Sequence, residues 1–200
     1  DWDLLGRRVI GYSGNLGRAH DLAGVQYFIE TMSAADPNLI FLFIGGGAGF
    51  AELERWAGAR GLPNLIFRPY QPREHLAQSL SVPDLHLVSL DPSCEGLIMP
   101  SKLYGILAAG RPIVALASPD GSVAQFVHEL NCGVVWRKDA AVQVIELINR
   151  MATDTALSAR IRRAAEPFVK QRALAAWTVA LGGMPKAEPV AAAVTVQHAA

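Results

Sequence analysis

The sequence predicts an α/β fold, a doubly wound and mostly parallel sheet of about six strands covered by helices on both faces. Three observations point there. Short apolar runs alternate with stretches of helical periodicity about six times along the chain. The longest apolar run, Leu39 to Ile44, is continuous rather than alternating, the pattern of a strand buried on both faces. The first two runs end in the glycine loops Gly14-Asn15-Leu16-Gly17 and Gly45-Gly46-Gly47. Such alternation is the mark of β–α–β crossovers, and ligands of these folds bind beyond the carboxyl ends of the strands, where strand order reverses.

The elements follow in order. Arg8 to Ser13 reads as the first strand. Leu22, Val25, Phe28, Ile29 and Met32 recur at helical spacing, so Leu22 to Ser33 reads as a helix. Leu39 to Ile44 is the second strand, and Ala48 to Arg60 is a helix ending at Gly61 as its C-cap. Leu65 to Phe67 is a short strand, and Arg73 to Leu80 a helix after Pro72. Asp84 to Leu90 is a strand, and Ser101 to Ala109 a helix with Pro100 just before it. Ile113 to Ala117, Gly121 to Leu130 and Gly133 to Trp136 read as strand, helix and strand. Ala140 to Lys170 carries one or two helices, and Leu174 to Leu181 a last one. The chain therefore divides into one domain over 1–181 and an Ala/Val-rich tail over 182–200 that reads as an appendage.

Composition removes several functions. The 200 residues hold 18 Lys+Arg and 18 Asp+Glu, a net charge of zero, and 51% are hydrophobic. A disordered chain needs low hydrophobicity and high net charge. A binder that neutralises nucleic-acid phosphates is usually strongly basic, so no nucleic acid is expected as partner. The six-residue run Leu39 to Ile44 is far short of the about 20 residues of a transmembrane helix. No signal-peptide pattern is visible, and the start at Asp1 rather than Met points to a fragment or a processed chain. Cys94 and Cys132 form no CxxC and no Cys/His cluster, which fits free thiols in a reducing compartment and no metal site. His20, His75, His86, His128 and His198 are dispersed without an HExxH. His86 reads as a core histidine, and His20, after a glycine loop, is the one to watch. Trp56, Trp136 and Trp177 suit packing. Gly11 to Asn15 misses the nucleophile elbow because Asn15 stands where its last glycine belongs.

Four loops after strands could carry chemistry. Ser13 to Asp21 reads two ways: a cradle for an anion, with Arg18 and the following helix N-terminus, or a plain turn capped by Asp21. Gly45 to Gly49 departs from the dinucleotide fingerprint, since Phe50 replaces its third glycine, and reads as a tight turn beneath a ligand bound elsewhere. Pro69 and Pro72 stiffen a dipeptide that could border a base through main-chain groups. Cys94 to Gly105 is the most informative. Lys102 falls in the first turn of a helix, where the dipole disfavours a cation by roughly 0.3–1 kcal/mol, and a diphosphate would offset that. The plain alternatives are a solvent-facing Lys102 and an ordinary loop acid at Glu95.

Together the motifs SGNLGRAHD, FIGGG, PYQP, EGLIMPSKLYGILAAGRP and DG-x-x-A resemble the C-terminal half of GT-B retaining glycosyltransferases of family 4, in the bacterial polysaccharide subgroup. The resemblance runs from about Arg8 to Trp177, and PSKLYGILAAGRP is its specific part. It implies a Rossmann-like three-layer α/β/α domain, one half of a GT-B fold. This half would hold the donor, a nucleotide-diphosphate sugar such as a UDP-sugar, and an N-terminal half would hold the acceptor.

By that resemblance Gly14, Asn15, Gly17 and Arg18 would lie against the diphosphate. Pro69 and Tyr70 would border the base. Glu95 would sit near the sugar. Gly96, Leu97, Ile98 and Met99 would offer main-chain N–H groups, with Ser101 and Lys102 close to the phosphates. Where many members carry a second glutamate for the ribose, this sequence has Gly105. Arg18, Lys102 and Glu95 are the catalytic candidates, and no cofactor or metal is required.

The implied reaction is sugar transfer to a polysaccharide or lipid-linked acceptor, with charge on the departing diphosphate met by Arg18 and Lys102. The full-length enzyme would be cytoplasmic, docked at the inner membrane face only through its other half. The isolated chain would bind donor weakly and transfer nothing. Two other readings use the same residues: half of a GT-B-like nucleotide-sugar epimerase or hydrolase, and a non-enzymatic α/β binding domain. Val190 to Val196 could add an edge strand for self-association.

Overall fold

The strands are β1 Val9–Asn15, β2 Ile40–Gly46, β3 Leu65–Arg68, β4 Leu85–Ser89, β5 Ile113–Leu116 and β6 Gly133–Val135. The helices are α1 Leu22–Ala35, α2 Ala48–Arg60, α3 Leu76–Ser81, α4 Lys102–Ala108, α5 Ser122–Glu129, α6 Ala141–Thr153 and α7 Thr155–Ala165. A computed structural model describes residues 2–168 of the chain. The described residues up to Glu166 form one compact unit, and Pro167 and Phe168 lie outside it. The expected helix over 174–181, the tail over 182–200 with its candidate edge strand, Trp177 and His198 lie outside the described residues.

All strands pair in parallel, in the order β3-β2-β1-β4-β5-β6. The sheet thus winds outward from the β1/β4 seam in both directions. Right-handed crossovers then place the helices of the two halves on opposite faces. In keeping with this, α1 packs against α2, and α4 against α3 and α7, while α6, which follows β6, packs against both α1 and α7. This is the Rossmann-like α/β/α architecture expected from the sequence.

Alternation along the strands sorts the core. Ile10 and Tyr12 of β1 lie with Phe41 and Phe43 of β2 in the larger core, where Phe28 of α1 meets Phe41 edge-to-face. Val9, Ile40, Leu42 and Ile44 face the other side, beneath Trp2, Leu4 and Ile66. Both faces of β2 are therefore buried, as its unbroken apolar run requires. Each such side chain contributes roughly 1.5–3 kcal/mol on leaving water.

Boundaries moved where local chemistry intervened. The helix expected over 73–80 is a 3₁₀ turn, Arg73–His75, leading into α3. The stretch after Ala140 resolves into two helices because Asp154 ends α6 and accepts the Leu157 N–H at the start of α7. Gly61 is left-handed at φ 62°, the C-cap expected after α2. His86 is fully buried, its Nε2 2.9 Å from the Leu80 carbonyl.

The seam positions the site. β1 pairs with β2 along its whole length, from Val9↔Ile40 to Asn15↔Gly46. With β4 it pairs only at Ile10↔Leu85 and Gly11↔His86. Beyond Gly11 the two strands part, and a crevice opens between their carboxyl ends.

The β2 loop presses onto the β1 loop beside that crevice. Leu16 donates its N–H to the Gly46 carbonyl at 2.8 Å and accepts from Gly49 at 2.9 Å. Gly45 sits at φ 143°, and a Cβ there would stand 2.0 Å from the Gly14 carbonyl oxygen. Gly45→Ala is expected to lower unfolding stability by about 1–3 kcal/mol from backbone strain alone. Urea denaturation checks this, and an unchanged midpoint would contradict the close approach of the two loops.

Candidate functional site

A cavity of about 340 Å³ fills the crevice at the β1/β4 seam. Its wall combines Ser13, Gly14 and Asn15 from the end of β1, His20, Ser89 from the end of β4, and Ile98 to Lys102 ahead of and within α4. Three buried polar atoms on this wall, Ser13 Oγ, Ser89 Oγ and Lys102 Nζ, have no hydrogen-bond partner among the described residues. Native structures leave few such groups, and three in one cavity call for a ligand that pairs with them. A larger hollow of about 520 Å³ is lined by Trp2, Leu4, Leu5 and His75 among others. None of its polar side chains is buried without a partner, so the chemistry belongs to the smaller cavity.

Lys102 does not point to solvent. It opens α4 and runs back beside Gly14, its Nζ 3.7 Å from where a Gly14 Cβ would be. The ammonium lies 3.8 Å from the centroid of the Tyr12 ring. It forms no ion pair among the described residues. Burial lowers its pKa from 10.5 to about 7.

Tyr12 and His20 frame this ammonium. The Tyr12 hydroxyl donates to the Asn15 carbonyl at 2.9 Å and lies 3.2 Å from His20 Nε2. His20 Nδ1 is 2.8 Å from the Ser89 carbonyl, so this ring ties the end of β1 to the end of β4. Asp91 adds a second tie, donating its N–H to Ala19 at 2.8 Å. Burial, followed by the nearby Lys102 charge, lowers the His20 pKa and favours its neutral form. Burial pushes the Tyr12 hydroxyl well above its usual range.

The other expected residues divide. Gly14, Asn15, Ile98, Met99, Ser101 and Lys102 line the cavity. Arg18 and Gly17 belong to the adjoining loop, with Arg18 exposed and free of ion pairs among the described residues. The α1 N-terminus is capped by Asp21, whose carboxylate accepts from Gly24 at 2.9 Å, so that loop ends as the plain capped turn. Leu97 and Ile98 donate their N–H groups to Cys94 at 3.1 and 3.3 Å, so two of the main-chain donors expected for the ligand are engaged in a turn. Gly96 at φ 75° shapes that turn. Gly105 faces α3, where a Cβ would lie 3.3 Å from Leu80. Tyr70 is 59% exposed with its ring over Gly46, beside the cavity rather than in it, and Pro69 precedes it on the surface.

Glu95 is not among the residues lining the cavity. Its Oε1 accepts from both the N–H and the hydroxyl of Ser122 at 2.7 Å, which caps α5. These two bonds, the hydroxyl first, hold its carboxyl below the usual range. A Cβ on Gly121 would stand 2.3 Å from Glu95 Oε2, so the glycine of the DG-x-x-A stretch makes room for this carboxylate.

Ser13, Ser89, Ala19, Leu90 and Pro100 line the cavity without having been singled out as site residues. Ser89 carried a signal: it is a polar residue at the carboxyl end of β4, a strand flanking the switch point. Among the described residues no group of three His, Cys, Asp or Glu could hold a metal ion. No helix among them is long and apolar enough to cross a membrane.

The family model described as glycosyl transferases group 1 matches residues 5–167. A putative colanic acid biosynthesis glycosyl transferase, WcaI of Escherichia coli (strain K12), is 38% identical over 111 residues, covering 56% of this chain and 27% of that protein. The chain spans between a quarter and a third of the curated relatives it matches. The pneumococcal O-GlcNAc transferase GtfA, solved with UDP and GlcNAc, superposes at a TM-score of 0.64 with 17% identity, covering 91% of this chain and 37% of that one. HepE of Anabaena, solved with UDP and glucose, superposes at 0.60 with 19% identity, covering 89% of this chain and 49% of that one. At these identities the superpositions show the shared fold.

The Lys102 burial has a measurable consequence. An unfolded lysine stays charged up to about 10.4, whereas the folded one gives up its proton near 7. Between these values the unfolded chain binds more protons, so this group makes stability rise with pH. Below pH 7 its burial penalty is fully present. Lys102→Met is therefore expected to raise the melting temperature at pH 6 and to lose most of that advantage by pH 10. A gap that does not change with pH in thermal melts would count against the buried ammonium.

Proposed function

The chain belongs to the glycosyl transferases group 1 family, and from that premise we propose that it is the donor-binding, C-terminal half of a retaining family 4 glycosyltransferase that uses a UDP-sugar. The observation that carries this is the convergence of Lys102 Nζ, Ser13 Oγ and Ser89 Oγ, all buried and unpaired, on one cavity at the switch point. One cation and two hydroxyls are the complement of a diphosphate, which offers negative charge and several acceptors. Two structural neighbours, solved with UDP and GlcNAc and with UDP and glucose, support a uridine nucleotide.

In this reading the diphosphate lies over Gly14 and Asn15, with Lys102 on its inner side and Arg18 at the solvent rim. The base borders Pro69 and stacks on the exposed Tyr70 ring. The sugar extends toward the Gly96–Met99 turn, with Glu95 beyond it. Cleavage of the anomeric C–O bond puts charge on the leaving diphosphate. Lys102 and the two serine hydroxyls are already aimed at that charge, which is electrostatic stabilisation by preorganised groups. Glu95, ionised and fixed by Ser122, would place a negative carboxylate on the sugar side of the cavity. The acceptor would be a growing polysaccharide or a lipid-linked saccharide, held by another half of the full-length protein. One relative's name, in colanic acid biosynthesis, supports that class.

Isothermal titration with UDP tests the reading. The 200-residue chain is expected to bind UDP and to transfer no sugar alone. Lys102→Met should weaken binding by more than about tenfold, since a hydrogen bond to a charged group contributes roughly 1.5–3 kcal/mol. Ser89→Ala should weaken UDP binding severalfold while leaving the melting temperature unchanged or raised. No heat at millimolar UDP, with the fold intact by circular dichroism, would overturn it.

A further inference from the structure

Tyr12 is 1% exposed and would pass for an ordinary core residue. Its surroundings argue for more. Its ring stacks on Phe43 at 5.7 Å, and Phe43 stacks on Phe67 at 5.5 Å, so it sits at the end of an aromatic row laid across β1, β2 and β3. His20 meets it edge-on at 5.7 Å. Its hydroxyl is held by the Asn15 carbonyl at 2.9 Å and lies 3.2 Å from His20 Nε2. The ring is thus fixed in plane and in height, and Lys102 Nζ lies 3.8 Å from its centroid.

A buried ammonium with no hydrogen-bond partner would leave for solvent or give up its proton unless something held it. A lysine has four rotatable carbons with which to do so. Among the described residues no carboxylate pairs with Lys102. The contact that remains is the negative face of the Tyr12 ring, and cation–π attraction strengthens when both partners are desolvated. The ring differs from a carboxylate in one useful respect. It attracts the ammonium without occupying its hydrogen-bond donors, so all three N–H groups stay available for an anion.

We propose that Tyr12 is a positioning residue of the diphosphate site, its ring face holding the Lys102 ammonium beside Gly14 while leaving the donors of that ammonium free for the ligand. This rests on the donor-site reading above. His20 and Asn15 serve it by fixing the ring.

The test has two arms. In the first, the chain is labelled with lysine carrying ¹³C at Cε, and the Lys102 signal is assigned by its loss in Lys102→Met. The attached protons are expected well upfield of those of a free lysine side chain, because they lie over a ring face, and Tyr12→Met should abolish that displacement. An undisplaced Lys102 signal in the parent chain overturns the proposal.

In the second arm, UDP binding is measured across a double-mutant cycle of Tyr12→Met and Lys102→Met. Tyr12→Met alone should weaken binding about tenfold, the scale of one desolvated cation–π contact. In the Lys102→Met background it should have almost no effect, because Tyr12 acts through Lys102. Tyr12→Phe, which keeps the ring face, should stay within about threefold of the parent. A Tyr12→Met penalty that is equal in both backgrounds identifies a purely structural role and overturns the proposal.

Should Tyr12→Met fail to fold, Tyr12→pentafluorophenylalanine keeps the shape and reverses the charge of the ring face, and the same predictions apply against Tyr12→Phe. If the parent chain binds UDP and Lys102→Met weakens it while the Tyr12 variants do not, this inference fails and the donor-site reading stands. If the parent chain binds no UDP, both fall.

Discussion

Everything at the functional end of this domain depends on β1 having two unequal neighbours. It is hydrogen-bonded to β2 over seven residue pairs and to β4 over two. A strand cannot follow both neighbours if they twist apart, and β1 follows β2. The ladder that β1 gives up beyond Gly11 becomes the crevice, and its last residues present backbone and small side chains to it. Strand order also reverses at this seam, so both windings deliver their loops to the same opening.

A parted seam would be weak without compensation, and the loops supply it by cross-linking rather than by packing. His20 reaches from the β1 loop to the Ser89 carbonyl, and Asp91 reaches back to Ala19. Leu16 is bonded in both directions to the β2 loop, which the glycines at 45, 47 and 49 allow to come within contact distance. These bonds satisfy the loop backbone locally and leave Ser13 Oγ, Ser89 Oγ and Lys102 Nζ in the crevice without a partner among the described residues. Glu95 performs a similar service one strand away, closing the N-terminus of α5 while Gly121 makes space for it. That a carboxylate expected near a sugar also caps a helix is no contradiction. A group fixed by two 2.7 Å bonds is held in place at no further entropic cost when a ligand arrives.

The fold was legible because its signals are local and repeated: unbroken apolar strands, amphipathic helices, and Gly61 or Asp21 at helix ends. The turn before α3 and the break at Asp154 were blurred, since a 3₁₀ turn and a helix share their hydrophobic spacing and a capping aspartate is hard to tell from a surface one. The site was half legible. Gly14 and Asn15 end β1 and Lys102 opens α4, at the strand-to-helix junctions where a ligand is expected. Ser13, Ser89 and Tyr12 lie within strands, and only the way the strands come together brings the two serines to the crevice and the Tyr12 ring to Lys102. The direction of the Glu95 side chain was beyond reach as well, since Ser122 is 27 residues away and the bond depends on how the loops after β4 and β5 meet.

Two cations were expected to serve a diphosphate, and their surroundings make them unequal. Opposite unit charges 4 Å apart interact by about 1 kcal/mol in bulk water and about 4 kcal/mol at the effective dielectric of a protein surface. Arg18 is exposed and belongs near the first limit. Lys102 is buried, its pKa lowered to about 7 by that burial, and belongs near the second. Its desolvation is a cost to the free chain, whose charged form is disfavoured there, and the same desolvation strengthens its hold on an anion. Net charge is zero over the whole sequence, so no general field draws a nucleotide in. Attraction would come from one ammonium held over an aromatic ring, and specificity for a diphosphate from the two hydroxyls that the parting of β1 and β4 leaves beside it.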